Sequence, residues 1–128
     1  MKKELTVVAG IIIFLAVLVF GLWFWRSYSS KNQGASSITS NIIFFYGQEC
    51  PHCKDVEKFL ADNKIAEKVK FDSLEIWYNK KNATLLQEKA VECNLKKEEI
   101  GVPFLYSEGK CLIGAPDIEK FFRDKAGM

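Results

Sequence analysis

The chain has 128 residues, enough for one small folded domain and little more. Ten Phe, four Tyr and three Trp exclude a wholly disordered chain. The formal net charge is +2, but residues 41–128 hold 14 Lys+Arg against 15 Asp+Glu, so the foldable part lacks the basic face a nucleic-acid binder needs.

Residues 1–4 are a short tail carrying Lys2, Lys3 and Glu4. Leu5 to Trp25, LTVVAGIIIFLAVLVFGLWFW, is uncharged throughout. As a helix these 21 residues would reach roughly 31 Å, about the thickness of a bilayer core. Trp23 and Trp25 stand at the far end, where indoles favour the interface. A cleaved leader would have a shorter apolar run, of about 7–15 residues, and a small-x-small end. This run ends in Trp-Phe-Trp-Arg, so residues 5–25 are read as a transmembrane anchor, with Ser27-Tyr28-Ser29 as a weaker alternative cleavage site. Two Lys precede the span, and Arg26 and Lys31 follow it, a tie that the short tail and its amine tip toward a cytoplasmic N-terminus. The expectation is a single-pass membrane protein with its folded domain on the extracytoplasmic side. Residues 26–41, with six Ser and one Gly, have the composition of a flexible linker.

The domain is expected over residues 42–128. Ile42–Tyr46 is a continuous apolar run that suits a strand buried on both faces. Gly47 ends it, and Cys50-Pro51 opens a helix with Pro at the first helical position. Val56, Phe59 and Leu60 give that helix an apolar stripe. A second strand is expected around Val69–Trp77, with Trp77 and Tyr78 read as strand packing rather than as a substrate groove. Asn82 is the expected cap of the next helix, which carries Ala83, Leu86, Ala90 and Cys93 on one face. Lys96–Glu99 reads as a solvated loop. Val102–Tyr106 and Lys110–Ile113 flank Glu108-Gly109, a two-residue hairpin turn. Pro116 and Asp117 open a last helix whose buried face is Ile118, Phe121 and Phe122 and which ends before Gly127. The order β-α-β-α-β-β-α defines an α/β domain with a mixed four-stranded sheet.

Cys50-Pro51-His52-Cys53 carries the chemistry. Two cysteines three apart at a helix start bring both sulfurs to one face of the first turn. Cys50 falls near the N-cap, where free N–H groups and the helix dipole stabilise a thiolate. A thiol pKa of about 8.5 falls to roughly 3.5–7.5 in such settings. Cys53, one turn in, should be more buried. Cys50 would then exchange with partners and Cys53 would resolve. His52, the only histidine, can stabilise the Cys50 thiolate and so make the disulfide more oxidising. Cys93 and Cys111 are either two buried thiols or a structural disulfide; sequence does not decide, because a bridge depends on Cα separation. A zinc site built from all four cysteines is not expected, since Cys93 and Cys111 form no knuckle.

The stretch Phe44-Phe45-Tyr46-Gly47-Gln48-Glu49-Cys50-Pro51-His52-Cys53-Lys54 resembles the active-site strand, turn and helix of thioredoxin-fold proteins. Its Pro-His dipeptide is that of DsbA-like oxidases. Gly101-Val102-Pro103 falls where that superfamily carries its cis-proline loop. The resemblance covers about residues 42–125 and implies a cis bond before Pro103 and a Val102 backbone that pairs with bound substrate. Phe44 replaces the buried acid of thioredoxins, and the helical insertion of true DsbA proteins is absent. The compact build is closer to glutaredoxin, although Gly114-Ala115-Pro116-Asp117 only partly matches the glutathione loop. The expected function is a membrane-anchored thiol–disulfide oxidoreductase acting on protein thiols, with Cys50, Pro51, His52 and Cys53 catalytic, and Val102 and Pro103 binding substrate. It needs no cofactor beyond the cysteine pair, and a membrane thiol oxidase or reductase as redox partner. The rival readings are a disulfide reductase or isomerase, a Cu(I) metallochaperone and a non-catalytic tethered binding module. Against copper, Met1 and Met128 are the only methionines.

Overall fold

The computed structural model describes residues 1–28 and 37–128, so half of the expected linker, residues 29–36, lies outside the described residues. The chain divides into two units, Met1–Gly34 and Ala35–Met128. The first holds one helix, α1 (Lys2–Tyr28), of 27 residues. Its side chains from Ile11 to Leu22 are exposed. Among the described residues, no helix is long and apolar enough to cross a membrane. The uncharged run Leu5–Trp25 extends at both ends past the side chains that are described.

The second unit is a mixed α/β domain with the element order β1 (Ile42–Tyr46), α2 (Pro51–Asp62), α3 (Ile65–Lys68), β2 (Asp72–Glu75), α4 (Lys80–Glu92), β3 (Phe104–Ser107), β4 (Lys110–Ile113) and α5 (Ala115–Ala126). The four strands form one sheet in the order β2-β1-β3-β4. β1 pairs parallel with β2 and antiparallel with β3, which pairs antiparallel with β4. Alternation along β1 sends Phe44 to one face and Ile43 and Phe45 to the other. On the Phe44 side, Leu105 packs with Val56, Leu60, Ile65, Val69, Ile118 and Phe122 from the α2, α3 and α5 region. On the Phe45 side, Phe104 and Leu74 pack with Leu86 and Ala90 of α4. The central strands are therefore covered on both faces, as the unbroken apolar run in β1 requires.

The hairpin turn is as expected. Glu108 (φ 49°) and Gly109 (φ 82°) both take left-handed backbone conformations, the pairing a two-residue turn between twisted strands calls for. α5 ends at Gly127 in the left-handed conformation, and Gly127 N–H bonds the Asp124 carbonyl.

Two expectations require correction. The second strand is only Asp72–Glu75, not Val69–Trp77. Lys64 turns the chain through a left-handed conformation (φ 50°) into the single helical turn α3, which brings Ile65 to the core, and Val69, the expected first residue of the strand, is the extended C-cap of that turn. Beyond Glu75 the chain leaves the sheet, and Trp77 and Tyr78 are exposed rather than packed in a strand. The cap of α4 is Asn79, not Asn82: Asn79 Oδ1 accepts from the N–H groups of Lys81 (3.1 Å) and Asn82 (3.3 Å). Asn82 is instead buried within the first turn, and its Nδ2 donates to the Glu75 carbonyl at 2.8 Å. Lys97–Glu99 forms a solvated 3-10 turn.

Candidate active site

The parallel β1–β2 pair ends at the edge where the reactive motif begins. The ladder closes with Ile76 N–H donating to the Tyr46 carbonyl at 2.9 Å. Burial, reinforced by the nearby charges of Glu57 and Glu75, raises the Tyr46 phenol above its ordinary value. Next in the chain, Gly47 is buried and its carbonyl accepts the Cys50 N–H at 3.1 Å. The resulting turn, Gly47–Cys50, delivers Cys50 to the N-cap of α2 in an extended conformation (φ −74°, ψ 115°). Pro51 stands in the first helical turn, where an N–H would have no partner in the helix.

At that cap the Cys50 Sγ accepts the backbone N–H of Cys53 at 3.2 Å. The sulfur thus takes the position a Ser or Asp oxygen takes in an ordinary N-cap, satisfying the Cys53 N–H, a donor that has no partner within α2. Cys50 and Cys53 are joined by a disulfide, with Cα atoms 5.2 Å apart. Their access to solvent differs: Cys50 is 6% exposed and Cys53 0%. Both are thus buried, with the residual exposure at Cys50.

The Val102–Pro103 peptide bond is cis, and the Val102 carbonyl oxygen lies 3.8 Å from the Cys50 Sγ. The Pro103 carbonyl accepts the Gly114 N–H at 3.0 Å, which ties this loop to the start of α5. Cys50, Cys53, Val102 and Pro103, spread over 54 positions of sequence, are thereby gathered at one end of the sheet. Pro103 is buried and Val102 half-buried.

His52 behaves differently from Cys50. Its side chain is 78% exposed, and its Nδ1 lies 3.7 Å from the Asp55 carboxylate one turn along α2. The described partner of the imidazole is thus a carboxylate on the outer face of the helix. The groove between α2 and α5, about 690 Å³, is lined by His52, Asp55, Val102, Pro103, Pro116 and Arg123 among others. A second pocket of about 310 Å³ opens on the other side of Val102, walled by Ile76, Trp77, Leu86 and Ile100. Val102, whose carbonyl lies beside the Cys50 sulfur, thus lines both a mixed-charge groove and a largely apolar pocket.

Trp77, in the pocket lining, and Tyr78, bonded to the residue before Cys50, lie at this site, against the expectation that they pack in a strand. Tyr78 Oη donates to Glu49 Oε1 at 2.6 Å. That bond, and then the charge of Glu49, raises the Tyr78 phenol above its ordinary value. The one local signal was Glu75 at the end of a strand just ahead of a helix, a carboxylate placed to receive the N–H groups that follow it.

Cys93 and Cys111 form a second disulfide, with Cα atoms 6.1 Å apart. It joins the C-cap of α4 to the edge strand β4. The four sulfurs thus make two separate bridges. No protein-family model matches the sequence, and no curated protein matches it. The mixed four-stranded sheet with a close cysteine pair at a helix start is compatible with a thioredoxin-like fold and with thiol–disulfide chemistry.

Proposed function

We propose that the chain is a membrane-anchored thiol–disulfide oxidoreductase of thioredoxin-like fold that oxidises thiols of extracytoplasmic proteins. The observation that carries this reading is the Cys50 sulfur, capping α2 and receiving the Cys53 N–H at 3.2 Å. A sulfur so placed is stabilised as a thiolate when the bridge opens. A stable reduced form makes the bridge a good oxidant. The absence of any acidic residue along β1, where Phe44 is fully buried, supports the oxidising direction.

In the reaction, a substrate thiolate attacks the Cys50 Sγ. The Cys50–Cys53 bond breaks, and Cys53 leaves as a thiolate that takes up a proton. A mixed disulfide joins the substrate to Cys50. A second substrate thiolate then attacks the substrate sulfur of that bond and expels the Cys50 thiolate. Two substrate thiols have become one disulfide, and two electrons reside in the Cys50/Cys53 pair. A membrane thiol oxidase of another chain would accept those electrons. The Val102 backbone beside Cys50 is the proposed pairing site for the substrate main chain, and Pro103 fixes the loop that presents it. His52, in the groove with Asp55, is assigned an electrostatic part in stabilising the thiolate.

The anchor is proposed from the uncharged run Leu5–Trp25, and the short basic tail favours a cytoplasmic N-terminus. Alkaline extraction should leave the full chain in the membrane and release one lacking residues 5–25; release of both would remove the anchor. For the activity, the oxidised full chain is mixed in detergent with a reduced, unfolded polypeptide, and thiols are counted. Wild type should consume about two thiols per chain, and Cys50→Ser none. Thiol loss unaffected by Cys50→Ser would overturn the assignment. A reduction potential near about −270 mV would place the pair with the reductases instead.

A further inference from the structure

Two large aromatic side chains stand exposed beside the cysteine turn, Trp77 at 48% and Tyr78 at 70%. Neither is spent on the core, yet both are held in place. Trp77 lies over Gly47 so closely that a Cβ there would sit 2.3 Å from Cε2 and 2.6 Å from Cδ2. Only a glycine fits beneath the indole. Tyr78 reaches the other end of the same turn through its 2.6 Å bond to Glu49, the residue before Cys50.

The loop that carries them is itself fixed. The Glu75 carboxylate accepts three successive backbone N–H groups, from Trp77 (2.7 Å), Tyr78 (2.9 Å) and Asn79 (3.2 Å). Asn82 holds the Glu75 carbonyl from the first turn of α4. Together these four bonds fix the backbone of the loop. Their effect is to present one ring to Gly47 and one hydroxyl to Glu49.

We propose that Trp77 and Tyr78 are positioning residues, the two jaws of a Glu75-pinned clamp that holds the Gly47–Cys50 turn so that the Cys50 sulfur stays seated on the Cys53 N–H. The clamp rests on the reading of Cys50 as the exchanging sulfur. It acts through the backbone: the Gly47 carbonyl holds the Cys50 N–H, and a turn free to move would carry the sulfur off its cap. The other charged groups around the turn are His52 and Asp55 on α2, Glu119 and Arg123 on α5, Lys97 beside the apolar pocket, and Glu75 itself. All of these stay in place in the variants below; Tyr78→Phe alone touches a further charge, by freeing the Glu49 carboxylate beside Cys50, so Trp77→Ala and Gly47→Ala are the variants that report the jaws apart from any charge.

The test uses the full chain in detergent, in a Cys53→Ala background with the Cys93–Cys111 bridge oxidised, so that Cys50 is the one free thiol. The rate of iodoacetamide alkylation is followed against pH. Trp77→Ala and Tyr78→Phe should each raise the midpoint by about 0.5 unit or more, the shift expected when a favourable contact to the charged form is lost. Gly47→Ala should do the same, because its methyl group displaces the indole. In a Trp77→Ala chain the space is free, and adding Gly47→Ala should move the midpoint no further. Tyr78→Phe removes one exposed oxygen and keeps the ring, so it leaves the fold intact even if the others do not. The clamp is overturned if the parent chain has a depressed midpoint that all the variants share, or if Gly47→Ala acts equally with and without the indole. A parent midpoint at the ordinary thiol value of about 8.5 would instead overturn the reading of Cys50, and the clamp with it.

Discussion

Replacing both Cys93 and Cys111 by Ala separates the two bridges by their work. β4 lies at the edge of the sheet, and none of its four residues is fully buried. It holds on one side to β3, and the disulfide adds its tie to the end of α4. The cross-link closes a loop of sequence separation 18, which in the chain-entropy account removes about 11 cal/mol/K from the unfolded chain. At 25 °C this is about 3 kcal/mol, a large part of the roughly 5–15 kcal/mol that keeps a domain folded. For a domain of this size the melting temperature should fall by about 12–24 °C. Urea unfolding of the full chain in detergent, followed by circular dichroism under oxidising conditions, measures the loss. Exchange at Cys50 should persist at temperatures where the variant is folded, because the second bridge lies on α4 and β4, not on α2. A loss under about 1 kcal/mol would refute the staple. Loss of Cys50 exchange in the folded variant would refute the division of roles.

Asn82→Ala removes a buried amide and leaves the Glu75 carbonyl without its donor, so the domain should lose about 1–2 kcal/mol in urea titration; a loss under about 0.5 kcal/mol would contradict that role. Asp72 fastens the chain entering β1. Burial alone would raise its carboxyl, but the N–H groups of Thr39 (2.7 Å) and Ser40 (2.8 Å) and the Thr39 hydroxyl (2.9 Å) outweigh it and hold it below the ordinary 3.8. A lowered folded value means a stability contribution present above about 3.8 and lost as pH falls through the folded value. Wild type should therefore be more stable than Asp72→Asn at pH 7, and the gap should shrink in acid. A gap that is constant from pH 7 to pH 2 would show that the carboxylate charge does not act.

Much of this architecture could be read from local pattern, because its residues act on near neighbours. The apolar run of β1, Pro51 after Cys50, Glu108-Gly109 and the terminal Gly127 each specify their own backbone. The reading failed where a residue's partner was distant or its conformation atypical. Lys64 adopts a left-handed backbone that its side chain does not advertise, so the sequence gives no sign of α3, and its C-cap Val69 reads as the start of the strand. Asn79 and Asn82 are equally good caps by composition; which one caps was decided by the Glu75 carbonyl that claims Asn82. Tyr78 and Glu49 are 29 positions apart, and Trp77 and Gly47 are 30 apart, so no periodicity links them. The Cys93–Cys111 pairing likewise depended on a 6.1 Å Cα separation that only the folded chain defines.

The central claim is that one sulfur, Cys50, meets the partner while Cys53 stays inside. The direct measurement compares Cys53→Ala with Cys50→Ala in the full chain, each exposed at pH 7 to an aromatic disulfide whose released thiol is coloured. Cys53→Ala should form its mixed disulfide rapidly, and Cys50→Ala at least about tenfold more slowly, since Cys53 is 0% exposed and Cys50 holds the N-cap. Equal rates, or faster reaction at Cys53, would contradict the account.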